Sequence, residues 1–191
     1  MRLDKGMNFW GHFYTITKHK LLVMKGCFCV GLYKQGLKHD LSKYSPMEFF
    51  TGVKYYQGKR SPNAAERDDI GYSAAWLHHK GRNKHHFEYW IDFSARNPEK
   101  PLNIAPMPDN YIVEMFIDRV SACKVYNGDK FTIEDPLSYY NSGNTAQFLH
   151  PYTEKMLTKL LHIYAKKGEA YTYKYIRHFI LKNDKKRLKN D

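Results

Sequence analysis

The sequence predicts an all-α fold, a compact single-domain helical bundle of about seven helices spanning 1–191. Apolar residues recur at steps of three and four along most of the chain, and sustained alternation is hard to find. A length of 191 residues suits one domain better than two. Hydrophobic residues make up 42% and aromatics 16%, enough to fill a core and too many for a disordered or low-complexity chain.

From about Phe9 to Tyr33, the residues Ile16, His19, Val23, Cys27 and Val30 share one face of an amphipathic helix. Gly36 marks a break, and a short segment from Leu37 to Tyr44 carries His39-Asp40. Ser45-Pro46-Met47-Glu48 predicts a helix start, with Ser45 as cap, Pro46 at the first helical position and Glu48 closing a capping box. That helix runs to about Gln57 and stops at Gly58, and GKRSPNAAE at 58–66 reads as an exposed loop. A third helical region starts at Asp68 and places Tyr72, Trp76, His79, Asn83, His86 and Trp90 at alternating steps of four and three, weakened at Gly81. Pro98, Pro101, Pro106 and Pro108 impose an extended connection. Asp109 caps the next helix, on which Tyr111, Met115, Asp118, Ala122 and Val125 share a face; Asn127-Gly128-Asp129 ends it. Two more helices, near 152–167 and 169–183, are parted by Gly168 and followed by a basic tail.

Lys and Arg total 31 against 19 Asp and Glu, a formal charge of +12. Residues 1–60 and 155–191 are each net +8, and 61–154 are net −4. Two basic flanks favour anionic partners: a nucleotide, another phosphorylated small molecule, or nucleic acid. Cys27 and Cys29 lie two apart and Cys123 stands alone, which excludes a disulfide framework and a cysteine zinc site; reduced thiols in a cytoplasmic protein are expected. The apolar stretch from Leu21 to Tyr33 is interrupted by Lys25 and is shorter than the ~20 residues of a membrane span. It also starts too far from Met1 for a secretory signal, so a soluble protein without a membrane partner is expected.

The ten histidines concentrate the chemistry. His19 lies on the apolar face of the first long helix, where a lone histidine is more often a hydrogen-bonded core residue than a ligand. Asp118 also occupies an apolar stripe, and a buried carboxylate there needs a cation, hydrogen-bond donors or a metal; an ion pair with a buried Arg or Lys is the plain alternative. His39-Asp40 offers an adjacent imidazole and carboxylate at a change of backbone direction. HHKGRNKHH at 78–86 adds four histidines, of which His79 and His86, or His78 and His85, would face one way on a helix. Imidazole and carboxylate donors spread over several helices suit one or two divalent transition metal ions, Mn, Fe, Co, Ni or Zn, held in the core of a bundle.

The order His19, His39-Asp40, His79, His86, Asp118 resembles the HD-domain superfamily of metal-dependent phosphohydrolases, in its two-metal version. HDLSKY at 39–44 is similar to the HD motif followed by a lysine. HDLSKYSPMEF, AWLHHKGRNKHHFEYW and EMFIDR also resemble a small uncharacterised bacterial and phage family of HD-like proteins, over roughly residues 12–126. The resemblance implies that His19, His39, Asp40 and Asp118 bind one metal and that Asp40 bridges to a second held by His79 and His86, with His78 and His85 as alternates. The chain lacks the extended glycine-and-proline motif of the cyclic-dinucleotide branch, so that substrate is not assigned.

The expected function is hydrolysis of a nucleotide or other phosphate ester by metal-activated water, with Asp40, Lys43 and Glu114 as catalytic candidates. Lys43, Arg82 and Lys84 flank the ligands and are candidates for substrate binding. Glu114 lies one turn before Asp118 and could support a ligand, serve as one, or accept a proton. Two other functions fit the same residues: a di-iron oxygenase of HD type, and a non-catalytic nucleic-acid-binding protein using the basic flanks, the tyrosines and the run Lys185-Lys186-Arg187.

Overall fold

The computed structural model describes residues 8–95, 98–99 and 101–182. Helix α1 (Phe9–Val30) starts where the Asn8 side chain accepts the Gly11 N–H at 2.7 Å and ends at Gly31, whose φ of 92° turns the chain out of the helix. It buries Ile16, His19, Val23, Cys27 and Val30, the face its periodicity predicts. Helix α2 (Tyr33–Lys38) folds back on α1. Gly36 sits inside α2 rather than breaking the chain: a Cβ there would lie 2.9 Å from the Cys27 side chain, so the glycine permits close approach of the two helices.

A 3-10 turn (Leu41–Tyr44) leads into α3 (Pro46–Tyr55). Pro46 takes the first helical position as expected, but the Ser45 side chain makes no cap bond and Glu48 does not complete a capping box. Its carboxylate turns inward, where two imidazoles hold it. Residues 62–66 are not loop. Ser61-Pro62 repeats the Ser-Pro start and opens α4 (Pro62–Ile70), which ends at Gly71 with φ 82°.

The region after Asp68 is likewise not one helix. It stops at Gly71, restarts as α5 (Ala74–Lys80) where Ser73 Oγ accepts the Trp76 N–H at 3.0 Å, turns at Gly81, and forms a second 3-10 segment (Phe87–Trp90). Within the proline-marked connection, β1 (Ile91–Phe93) and β2 (Leu102–Ile104) pair antiparallel with Ile91 opposite Ile104.

Helix α6 (Asp109–Asn127) starts one residue earlier than predicted, with Pro108 rather than Asp109 as its cap, and Gly128 ends it. Ile112, Val113, Phe116, Ile117 and Val120 are all buried, because α1, α7 (Asp135–Ser142) and α8 (Pro151–Tyr175) pack around it. A helix buried on several sides shows no single apolar stripe, which is why its sequence stripe captures only part of its contacts. Gly168 interrupts α8 with φ 73°, the break its position predicts, and α8 continues into a π-helical turn (Ile176–Ile180). Eight α-helices are thus described, one more than the sequence count. Helices α4 and α5 replace one predicted region, α8 joins two predicted helices, and α7 lies in a stretch without predicted structure. Lys185-Lys186-Arg187 lie outside the described residues.

The main core joins Val23, Cys27 and Val30 of α1 to α6 and to Leu157, Leu160, Leu161 and Tyr164 of α8. A smaller cluster holds Ile16, Phe49 and Val53. His19 lies on α1 between Ile16 and Val23, at the seam of the two clusters. Cys27, Cys29 and Cys123 are free thiols, and no helix among the described residues is long and apolar enough to cross a membrane.

Candidate metal centre

Asp40 is the pivot. Its φ of 53° puts a non-glycine residue in the left-handed region at the junction of α2 and the 3-10 turn, a conformation costing of order 1 kcal/mol that persists only when surroundings enforce it. Lys20 helps enforce it: its ammonium, reaching over from α1, donates to the carbonyls of Leu37 at 2.9 Å and His39 at 2.7 Å. The reversal sends the side chains of both His39 and Asp40 inward, leaving them 2% and 1% exposed.

Two groups of donors meet at the Asp40 carboxylate. The first holds His19, His39, Asp40 and Asp118, with one donor atom from each lying within 4.8 Å of the others. Asp40 Oδ2 is 3.3 Å from His39 Nε2 and 3.7 Å from His19 Nε2, and Asp118 Oδ1 is 2.8 Å from His19 Nε2 and 3.6 Å from His39 Nε2. The second holds Asp40, His79, His85 and His86 within the same limit. Here Asp40 Oδ1 faces His79 Nε2 at 3.2 Å and His85 Nε2 at 3.4 Å.

The far sides of these imidazoles are held by carboxylates. Glu114 Oε1 sits 2.9 Å from His39 Nδ1 and 3.3 Å from His85 Nδ1, while Gln35 donates to its Oε2 at 2.5 Å. Glu48 spans His78 Nδ1 at 2.6 Å and His79 Nδ1 at 2.7 Å. An imidazole that donates from Nδ1 presents an Nε2 lone pair, the state a metal ligand needs. Trp76 packs edge-on against His86 with ring centroids 4.6 Å apart.

Electrostatics follow from this packing. Burial opposes charge on Asp40, yet His39, Lys43 and His79 hold its carboxyl well below the usual range. Burial likewise opposes charge on Glu114, but hydrogen bonds from His39 and His85 bring it down to about 2. Burial also opposes a charged His39, which the surrounding carboxylates nevertheless raise well above an ordinary imidazole. His86 goes the other way: burial, and then His85 and His79, push it well below.

The Nε2 atoms of His39, His79, His85 and His86 and the Oδ1 of Asp40 are buried without a hydrogen bond, and His19 Nε2 has only the Asp118 carboxylate beside it. Stranding one such atom costs about 1–3 kcal/mol, so five converging on one place fit a cation rather than a packed core. The clusters could hold a metal, and their all-nitrogen-and-oxygen donor set is of the borderline-to-hard type.

The structure therefore brings together His19, His39, Asp40, Asp118, His79 and His86, and adds His85. His79 lies on α5 while His85 and His86 lie in the turn that follows, so it is the turn, and not a shared helix face, that lets both members of the second pair approach Asp40. His78 instead faces Glu48. Lys43 reaches the site, with Nζ 2.6 Å from Asp40 Oδ2. Arg82 is exposed and donates to the His78 carbonyl at 3.1 Å, and Lys84 lies over the Tyr89 ring at 5.6 Å. Sequence reasoning missed Gln35, and it read Glu48 only as a cap. Glu48 lies four residues before Gly52 on the buried face of α3, and a carboxylate on such a face is the signal that could have found it.

Neither the curated proteins nor the solved structures compared with this chain contain a match, and the HD-domain resemblance gains no support from them. One family model, described as a family of unknown function (DUF5662), matches residues 8–163, a span that includes every residue of both clusters. The chain belongs to that family.

Proposed function

We propose that the chain is a metal-dependent phosphohydrolase of the HD-domain type, acting on a nucleotide or another phosphate ester. The supporting observation is the shared carboxylate: the two oxygens of Asp40 face two different histidine groups. His19, His39, Asp40 and Asp118 would hold one ion, and Asp40, His79, His85 and His86 a second, from among Mn, Fe, Co, Ni and Zn. Bound there, such ions lower the pKa of a coordinated water and polarise a phosphoryl oxygen.

The chain's own residues supply the rest. Glu114 and Glu48 fix the tautomers of His39, His85 and His79, so that their Nε2 atoms stay aimed at Asp40. Lys43, half-buried and beside Asp40, sets a positive charge where a phosphoryl group would approach and offsets charge that develops on it. The side chain of Asp118 is 17% exposed, against 2% for Asp40, which places solvent access on the Asp118 side of the first cluster.

The test is a phosphate-release screen over nucleotides and simple phosphate esters with added Mn or Co, run in air and under anaerobic conditions. Equal release in both, lost in Asp40→Asn and reduced in Lys43→Ala, is the expected result. Turnover that requires oxygen and releases no phosphate would replace hydrolysis with the oxygenase chemistry.

A further inference from the structure

Helix α1 has a second, outward face. Trp10, Tyr14, Leu21 and Phe28 are 76%, 65%, 53% and 37% exposed, and their spacing of four, seven and seven residues puts them on one stripe about 27 Å long. Isolated exposed apolar residues are ordinary on a soluble protein, but a continuous stripe carrying Trp and Tyr is the mark of a contact surface. Lys18 and Lys25 lie within this stripe, one turn beyond Tyr14 and Leu21. Leu22 flanks the lysines on their far side, and Trp10, Tyr14, Lys18, Leu21, Leu22 and Lys25 border a shallow hollow of about 660 Å³. No acidic residue occurs anywhere on α1. Among the described residues the lysines in ion pairs are Lys43 and Lys124, so no described carboxylate neutralises Lys18 or Lys25.

We propose that this face docks an acidic amphipathic helix of a partner protein. An apolar stripe along one helix is matched by the apolar stripe of another laid beside it. Lys18 and Lys25 are seven residues apart, two helical turns, and a partner helix with carboxylates at the same seven-residue spacing meets both. Pairing α1 with α1 of a second copy offers no such match, because it sets lysines against lysines. A bilayer is disfavoured as well: with apolar residues on both sides of them, the two ammonium groups would be drawn toward the acyl region instead of lying along a polar edge. A phosphate backbone would satisfy the lysines and leave Leu21, Leu22 and Phe28 facing charge.

The probe is a labelled synthetic peptide of about 25 residues, with leucines on one face and glutamates at seven-residue spacing beside them. It is titrated with the full chain and followed by fluorescence anisotropy. A scrambled peptide of identical composition serves as control. Saturable binding of the amphipathic peptide alone is expected, weakened about tenfold or more by Leu21→Glu and by Lys18→Glu/Lys25→Glu. A lysine-for-glutamate version of the peptide is expected to recover affinity for the Lys18→Glu/Lys25→Glu variant. Absence of binding, or binding indifferent to these substitutions, overturns the proposal. So does self-association of the chain that Leu21→Glu abolishes, or preferential binding to vesicles of phosphatidylglycerol and phosphatidylcholine. Circular dichroism of each variant confirms that it is folded.

Discussion

His39 Nδ1 lies 2.9 Å from Glu114 Oε1, and that same oxygen lies 3.3 Å from His85 Nδ1. One carboxylate on α6 therefore orients an imidazole from each of the two donor clusters. Hydrogen bonds from both rings bring its pKa down to about 2, so it remains an acceptor throughout the neutral range. Glu114→Gln keeps the shape but can no longer accept from both rings with a charged oxygen. Metal affinity at both clusters is expected to fall about 10- to 100-fold, measured by competition titration against a chelator; unchanged affinity at either cluster would show that Glu114 does not orient that imidazole.

Glu48 gives the contrasting case. It holds His79 at 2.7 Å and His78 at 2.6 Å, and it touches no imidazole of the first cluster. Glu48→Gln is expected to weaken only the weaker-binding or stronger-binding half of a two-step metal titration, the half that contains His79, by about tenfold or more. Equal loss in both halves would mean that Glu48 acts through general stability.

His12 and Gly52 make a packing prediction independent of metal. A Cβ on Gly52 would lie 2.2 Å from His12 Nε2 and 2.3 Å from Cε1. Gly52→Ala gains about 1 kcal/mol of helix propensity within α3 but overpacks the buried imidazole at a cost of about 1–3 kcal/mol. In the wild-type background the substitution is expected to destabilise. In a His12→Ala background it is expected to stabilise, because only the propensity gain remains. Chemical denaturation of the four proteins measures the coupling.

His12 also links stability to pH. Burial, with a smaller contribution from Lys43, lowers its pKa from 6.5 to about 4. The unfolded chain then takes up a proton near pH 6.5 while the folded chain stays neutral, so this stabilisation is full above 6.5 and is lost as pH falls toward 4. Between pH 7 and pH 5 the loss is about 2 kcal/mol. Denaturation of wild type and His12→Phe at both pH values is expected to show wild type losing about that much relative to the variant; parallel losses would remove His12 as the source.

Two residues of the first cluster stood out in the sequence because they occupy positions where an amphipathic pattern carries apolar side chains, and the grouping of these with His39 and Asp40 came from the family resemblance. His19 interrupts the face of Ile16, Val23 and Cys27, and Asp118 interrupts that of α6. The choice within the doubled histidines was not legible from helical spacing, because 81–86 is a turn and a turn can direct His85 and His86 to one place. Glu48 was hidden by a second explanation that fits equally well, since Ser-Pro-x-Glu is also how helices begin. The loop reading of 58–66 failed for a related reason: Ser61-Pro62 starts α4 with few apolar residues to announce it, and its buried contacts come from Ala65 and Glu66. The exposed stripe of α1 was hidden too, because apolar residues on both faces of a helix blur the pattern that either face alone would show.

Sharing of the Asp40 carboxylate between two bound ions would make the metal content depend on that one side chain. Elemental analysis of the full chain, purified without a histidine tag and supplied in turn with Mn, Fe, Co, Ni and Zn, tests it beside Asp40→Asn, a replacement that tolerates the left-handed backbone of this position. Up to two equivalents of a transition metal in wild type, and loss of most of it in a folded Asp40→Asn, is the expected result. Wild type that stays metal-free with every ion, or a variant that retains the wild-type content, would contradict it.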